Sequence, residues 1–219
     1  MERKKDVKKY KAIIFDLDGT LINSLPYHFL AFKYMMQEHG FKVTDRYLKK
    51  VIGLPTELIL KDLKKKYGFK ENIHDLREER RYHYFKSIGN HDITFLGVNK
   101  TLKELKKKYK IAIATGSSKI TFSHSTSPDF QKMFDIIVTI MDTQRGKPYP
   151  DPLLLASRKL GVRPSDCLMV GDSVFDALAA KRAKMNFIGV TTGFTKSSEL
   201  KKIGAVRIIG SIKELKKVL

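Results

Sequence analysis

Five stretches of this chain are apolar at nearly every position and close on turn residues: KAIIF (11–15), KIAIAT (110–115), FDIIVTI (134–140), DCLMVG (166–171) and NFIGVT (186–191). A sixth candidate is AVRIIG (205–210). A strand with one face in water alternates apolar and polar residues, whereas a strand buried on both faces is apolar throughout. Most of these runs are separated by helical patterns, and that alternation builds a parallel sheet covered on both sides. The fold class expected is therefore α/β, with a doubly wound parallel sheet. Helix punctuation agrees with it: KPYPDPLLLASRKLG offers Asp151 as N-cap, Pro152 at the first helical position and Gly161 just past the end. GSIKELKKVL offers Ser211 as N-cap with Glu214 three residues on, the capping-box spacing.

One interval breaks the alternation. About ninety residues separate the first two runs, roughly two to three times what a single crossover helix needs. They read as successive helices, YHFLAFKYMMQEHG, TDRYLKKVIG, PTELILKDLKKKYG and DLREERRYHYFKSIG. The next helix, GVNKTLKELKKKY, leads directly into the second run and belongs with the core. The organisation expected is a helical unit over 22–93 inserted into a core made of 1–21 and 94–219, with no internal repeat.

A chain of 219 residues can bury a full core with a modest insertion. No apolar run approaches membrane-spanning length. The basic start, MERKKDVKKY, is followed by only a short strand-like stretch, which argues against a secretory leader. A single cysteine, Cys167, cannot form an internal disulfide and fits a reducing, cytoplasmic setting. The net charge of +20 raises a nucleic-acid partner. The lysines, however, lie in short clusters along amphipathic segments (LKKKYGFK, LKELKKKYK, IKELKKVL), so solvated helix faces are the better reading. Such a field still steers small anionic ligands.

In a parallel α/β sheet ligands bind beyond the carboxyl ends of the strands, and each notable polar residue here falls at such an end. Asp16 and Asp18 follow the first run, Thr115 closes the second, Lys147 lies in the loop after the third, and Asp172 and Asp176 follow the fourth. Residues two apart in extended chain share a side, so Asp16 and Asp18 can face one crevice. With Asp172 nearby they would raise one another's pKa unless a cation sat among them. All-oxygen ligands of this kind suit Mg²⁺. The Thr115 hydroxyl, the Lys147 charge and the amides around Leu17, Asp18 and Gly116 would cradle a phosphate, with Gly19 and Gly116 letting the backbone come close.

Each piece also has a plain structural reading. DLDG alone is turn-like, although its glycine comes too early for an EF-hand and no glutamate stands at the twelfth position. Thr115 and Ser117 read singly as helix caps, Lys147 as a surface lysine, and Asp176 as a first-turn residue of a capped helix. Their joint occurrence, in order and each at a strand end, is what points to a site.

FDLDGT, ATGSS, GKPYPDP and VGDSVFD together resemble the four motifs of the haloacid dehalogenase (HAD) superfamily, in the subgroup with a helical cap after the first motif, which includes phosphoglycolate phosphatase and β-phosphoglucomutase. The resemblance covers nearly the whole chain. It implies a Rossmann-like core with an all-helical cap, and a Mg²⁺-dependent phosphatase acting on a small phosphorylated metabolite such as a sugar phosphate or a phosphoglycolate-like compound. It implies further that Asp16 is the nucleophile forming an aspartyl-phosphate and that Asp18 is the general acid and base. Thr115, Gly116 and Lys147 would hold the phosphoryl group. The metal would be bound by Asp16, the backbone carbonyl of Asp18 and Asp172, with Asp176 in support.

Dehalogenases and phosphonatases lack the second aspartate, so Asp18 argues for phosphoryl transfer. A sugar-phosphate mutase is the alternative enzyme, since PYHFLAF resembles the mutase hinge and carries His28 at a position that matters there. Thr56 stands where the mutase pattern has a phosphate-binding arginine and Gly171 where it has a glutamate; both departures favour a hydrolase. His28 by itself reads as a packing residue, and Arg80 and Arg81 either reach a second anionic group of the substrate or form a solvated face. The remaining histidines show no i, i+4 pairing, which argues against a histidine metal site. The non-enzymatic alternative is a basic nucleic-acid or protein-binding module on an inactive core, which should have lost one of the motif residues. The partner expected is a small anionic substrate, with no membrane, and the chain a monomer or homodimer.

Overall fold

The computed structural model describes residues 10–219. Residues 1–9, which open the expected core segment and carry most of the basic start, lie outside the described residues. In chain order the elements are β1 (Ala12–Phe15), α1 (Leu25–Glu38), α2 (Asp45–Val51), α3 (Thr56–Tyr67), α4 (Ile73–Ile88), α5 (Val98–Leu105), β2 (Lys110–Ala114), α6 (Lys119–Ser125), α7 (Pro128–Gln131), β3 (Ile136–Val138), α8 (Asp151–Leu160), β4 (Cys167–Gly171), α9 (Val174–Arg182), β5 (Asn186–Val190), α10 (Ser197–Ile203), β6 (Arg207–Ile209) and α11 (Leu215–Val218).

All six apolar runs become strands of one sheet, in the order β3-β2-β1-β4-β5-β6 with every pairing parallel. In β1, Ile13 and Phe15 enter one apolar cluster with Leu102, Leu105, Ile113 and Val170, while Ala12 and Ile14 enter another with Ala112, Leu153, Met169 and Phe187. Both faces of the strand are thus buried, which is why its sequence shows no alternation. The strand order reverses between β1 and β4, and at such a switch point the crevice beyond the strand ends is open to a ligand.

Between β1 and α5 the regular elements are the helices α1 to α4, with an isolated antiparallel bridge between Ile22 and Thr94. Phe32, Met35 and Met36 of α1 pack with Leu48, with Ile59, Leu60 and Leu63 of α3, and with Leu76 of α4 in a third apolar cluster. The segments entering and leaving this region run side by side: Asn23 N–H donates to the Ile93 carbonyl at 2.7 Å and Phe95 N–H to that of Leu21 at 3.0 Å. The sheet-proximal residues Ala31, Tyr84 and Ile88 join the cluster on the sheet's face.

Local signals hold with two exceptions. Gly161 closes α8 in the left-handed region (φ 66°), as placed. Asp151, however, is the first helical residue and Pro150 takes the cap position, because Pro152 fits the second position of the turn as well as the first. Ser211 precedes a single 3₁₀ turn and its side chain accepts no capping bond; its φ of −158° leaves the backbone fully extended.

Candidate active site

Parallel register aligns the strand ends. Phe15 pairs with Ile113 on one side and Val170 on the other, so the residues after it stand level with Thr115 and Asp172. Asp16 N–H still donates to the Val170 carbonyl at 2.9 Å, which holds the first aspartate in extended chain against β4. Lys147 arrives from the loop after β3. Its Nζ lies 2.6 Å from Asp16 Oδ1 and 2.6 Å from Asp176 Oδ1, with all three side chains buried.

Asp172 and Asp176 follow β4 by different local routes. Asp172 sits in the turn, where its Oδ1 accepts from the Thr20 hydroxyl at 2.9 Å. Asp176 is in the first turn of α9, and its Oδ2 accepts the Ser173 N–H at 3.0 Å in a full capping box. The plain reading of Asp176 as a first-turn residue of a capped helix therefore holds for one carboxylate oxygen, while the other faces Lys147. Carboxylate oxygens of Asp16, Asp172 and Asp176 all lie within 4.8 Å of one another.

Glycines make room for this packing. Gly19 is in the left-handed region (φ 78°), and a Cβ there would stand 2.8 Å from Asp172 Oδ2. At Gly193, in the loop after β5, it would stand 1.8 Å from the same oxygen. A Cβ at Gly171 would meet Asp176 Cγ at 2.6 Å, so a side chain at 171 and the carboxylate of Asp176 cannot share this space. The Gly171 departure noted in the sequence is thus the structural counterpart of Asp176. At Gly116 no atom lies within 4 Å of an added Cβ, and the backbone there faces open space.

The two motif aspartates end in opposite electrostatic situations. Burial, with the charges of Asp176 and Asp18 against that of Lys147, pushes the Asp16 carboxyl up to about 7. Burial and the charges of Asp176 and Asp16 push Asp172 well up too. Mutual raising does not extend to Asp18, whose carboxylate turns away from the trio. Its Oδ1 accepts from Ser24 at 2.6 Å and faces His28 Nε2 at 3.1 Å; its Oδ2 accepts from Ser117 at 2.8 Å and Thr115 at 3.3 Å. Burial opposes the charged form, but these bonds outweigh it and hold Asp18 below the usual carboxylate range.

His28 belongs to this network and is not simply packed. Its ring stacks on Tyr84 at 4.2 Å between centroids. Arg80, set against the solvated-face expectation, is 5% exposed, lies over the rings of Phe32 and Tyr84, and donates from Nη2 to His28 Nδ1. A guanidinium only donates, so Nδ1 must be the accepting nitrogen and the ring proton sits on Nε2, aimed at Asp18. Burial and the Arg80 charge push the His28 pKa down, so at neutral pH it offers Asp18 a hydrogen bond and not a charge. Arg81 pairs with Glu78 on its own helix, and Thr56 is the half-buried first residue of α3.

The sequence reading missed Thr20, Ser24 and Tyr84. Ser117, read as a cap, instead serves Asp18, and Ser118 caps α6 by accepting from Thr121 N–H. Thr20 and Ser24 share one signal, a hydroxyl within a few residues of a strand-end aspartate, which is too frequent in turns to single out; Tyr84 on α4 carries no local signal. The trio of carboxylates has one lysine among it and an all-oxygen donor set, and so fits a hard divalent cation. Environments that drive two neighbouring carboxyls apart in acidity also suit them to different tasks in one reaction.

Residues 13–190 match the family model described as haloacid dehalogenase-like hydrolase. Among curated relatives, the chain is 28% identical to a pyrophosphatase of Oceanobacillus iheyensis, covering 94% of each chain. It is 27% identical to a phosphorylated carbohydrates phosphatase of Thermotoga maritima, covering 91% of this chain and 94% of that one. Among solved structures, a hydrolase from Pseudomonas syringae superposes with a TM-score of 0.83 at 30% identity, over 94% of this chain and 96% of that one.

Proposed function

The chain belongs to the haloacid dehalogenase-like hydrolase family, and from that premise we propose that it is a Mg²⁺-dependent phosphatase of small phosphorylated metabolites, working through an aspartyl-phosphate on Asp16. The relatives' names, a pyrophosphatase and a phosphatase of phosphorylated carbohydrates, support this substrate class. The observation that carries the reading is the buried set of Asp16, Lys147, Asp172 and Asp176 at the switch point of the sheet.

In the first half-reaction an Asp16 oxygen attacks phosphorus while the bond to the leaving oxygen breaks, and that oxygen takes a proton from Asp18. Lys147 and the Thr115 hydroxyl hold the transferring group, and the open backbone at Gly116 lets its oxygens approach. In the second half-reaction Asp18 removes a proton from water, which attacks the phosphorus and frees Asp16. Asp18 is ionised in the ligand-free arrangement, the form needed for the second half; an arriving phosphate dianion beside it favours the proton uptake needed for the first. His28, fixed by Arg80, keeps Asp18 aimed. A divalent ion held by Asp16, Asp172 and Asp176, Mg²⁺ by its preference for few carboxylates and several waters, would offset phosphoryl charge and keep Asp16 ionised. The helices of 22–93 act as a cap that excludes water and selects the substrate.

Hydrolysis is favoured over a mutase by Gly171, since the space a glutamate needs there is filled by Asp176. The test is a panel of phosphorylated metabolites with Mg²⁺ or EDTA, comparing wild type with Asp16→Asn. Inorganic phosphate released by wild type only with metal is the expected result. Isomerised sugar phosphate without net release would replace this reading with the mutase.

A further inference from the structure

Two histidines and two glutamates meet where α1 ends against α4, in the helical insertion and apart from the strand-end carboxylates. Glu79 and His83 are four residues apart and share one face of α4. Glu38 ends α1 and His39 follows it. Ligand atoms of Glu38, Glu79 and His83 all lie within 4.8 Å of one another. His83 Nε2 is 3.0 Å from Glu38 Oε2, and His39 Nε2 is 2.8 Å from Glu79 Oε2. Neither histidine has a histidine partner at i, i+4: the pair on α4 is mixed, Glu79 with His83, and its complement comes from another helix.

Ion pairing alone does not account for the choice of partners. The chain has 43 Lys and Arg against 23 Asp and Glu, so a carboxylate has cations available nearly anywhere. Among the described residues, Glu38, Glu71 and Glu79 nevertheless form ion pairs with these two histidines alone. His83 is 5% exposed, with the rings of Tyr34 and Tyr82 beside it at 5.9 and 5.5 Å, so its orientation is set in advance. An open cavity of about 740 Å³, lined by Tyr34, Gln37, Glu38, His83, Lys86 and Ser87, reaches the group and gives an ion and its waters a way in.

We propose that Glu38, Glu79 and His83, with water as fourth ligand and His39 orienting Glu79, form a second metal site selective for a zinc-class divalent ion. Three protein ligands that include an imidazole, with an open fourth position, suit tetrahedral zinc, whereas the all-oxygen trio suits magnesium. Metal–ligand bonds near 2.0 Å place neighbouring tetrahedral ligands about 3.3 Å apart; the 3.0 Å pair of His83 and Glu38 stands close to that spacing already. The ion ties α1 to α4, the two helices that carry His28, which faces Asp18, and Arg80, which bonds His28.

The test uses the full chain, stripped with EDTA, given excess Mg²⁺ to fill the strand-end carboxylates, and titrated with Zn²⁺ by calorimetry; Co²⁺ serves as a spectroscopic stand-in. One equivalent of Zn²⁺ should bind in the presence of Mg²⁺, and Co²⁺ should give the intense visible bands of a four-coordinate site. Glu38→Gln, at an exposed position, should weaken Zn²⁺ at least about tenfold, His83→Gln should abolish the equivalent, and Asp172→Asn should leave it unchanged. Glu38→Gln keeps the test decisive if His83→Gln fails to fold. Absence of a zinc equivalent in excess Mg²⁺ overturns the proposal. So does an equivalent that survives Glu38→Gln undiminished, or one that disappears with Asp172→Asn.

Discussion

Lys147→Met removes a cation from among buried carboxylates while keeping the length and packing of the side chain. In the native protein Nζ is 2.6 Å from oxygens of both Asp16 and Asp176. At an effective dielectric of about 20, each contact is worth about 6 kcal/mol of attraction, most of it offset by desolvation. Removing one partner of a buried pair costs about 3–5 kcal/mol, and that is the loss of unfolding free energy expected at pH 8 in EDTA. The pH dependence comes from Asp16, since Lys147 is charged in both folded and unfolded chains over this range. A carboxyl whose folded pKa is raised contributes stability that is complete below its unfolded value and lost as pH rises through the folded one. With Asp16 raised from 3.8 to about 7, metal-free wild type should lose about 3 kcal/mol from this group between pH 4 and 7. Without Lys147 the Asp16 pKa rises further and the loss continues above pH 7, so the gap between variant and wild type should widen from pH 5 to pH 8. Urea unfolding at both pH values, with EDTA or with Mg²⁺, measures it, and Mg²⁺ should narrow the gap at pH 8. A deficit under about 1 kcal/mol at pH 8, or one independent of pH, would refute the argument that Lys147 balances a buried anionic cluster.

Gly193→Ala puts a methyl where Asp172 Oδ2 now lies; Mg²⁺ affinity should fall at least about tenfold with circular dichroism unchanged, and full retention of Mg²⁺ binding by calorimetry would count against Asp172 as a ligand. His28 should be neutral at pH 7 with its proton on Nε2, and Arg80→Met should raise its pKa by removing the charge that opposes protonation; long-range ¹H–¹⁵N spectra read both, and an imidazolium in the wild type at pH 7 would contradict the assignment. Leu63→Ala, at a fully buried position in the cluster of α1, α3 and α4, should cost about 2–5 kcal/mol; hydrogen exchange should rise within 25–88 and leave β1 and β4 protected, and uniform acceleration would mean that the helices and the sheet unfold as one unit.

Much of the architecture was legible because it depends on local signals. Both-face burial leaves a strand apolar at nearly every position, and this marked the inner strands β1, β2, β4 and β5, while helical periodicity marked the helices between β1 and α5. Strand ends in a parallel sheet share a rim, so Asp16, Thr115, Lys147 and Asp172 were legible as a group before any coordinate. Arg80 was not: in a run of charged residues on α4 nothing local distinguishes it from Arg81, yet contact with α1 lays it over Phe32 and against His28. Asp18 was misjudged for the same reason. Its neighbours in sequence suggested repulsion, and the hydroxyls and imidazole that stabilise its charge come from Ser24, His28 and Ser117 on other segments.

The amino-acid order by itself determined which groups stand at the strand ends, since hydropathy period, turn residues and caps act over a few residues. Only the tertiary structure decided which way each carboxylate turns, how much water it loses and what bonds it in return. Those outcomes depend on atoms remote in the chain, as with Thr20 and Asp172, 152 residues apart and 2.9 Å from each other, and in a buried site that surrounding sets the charge state.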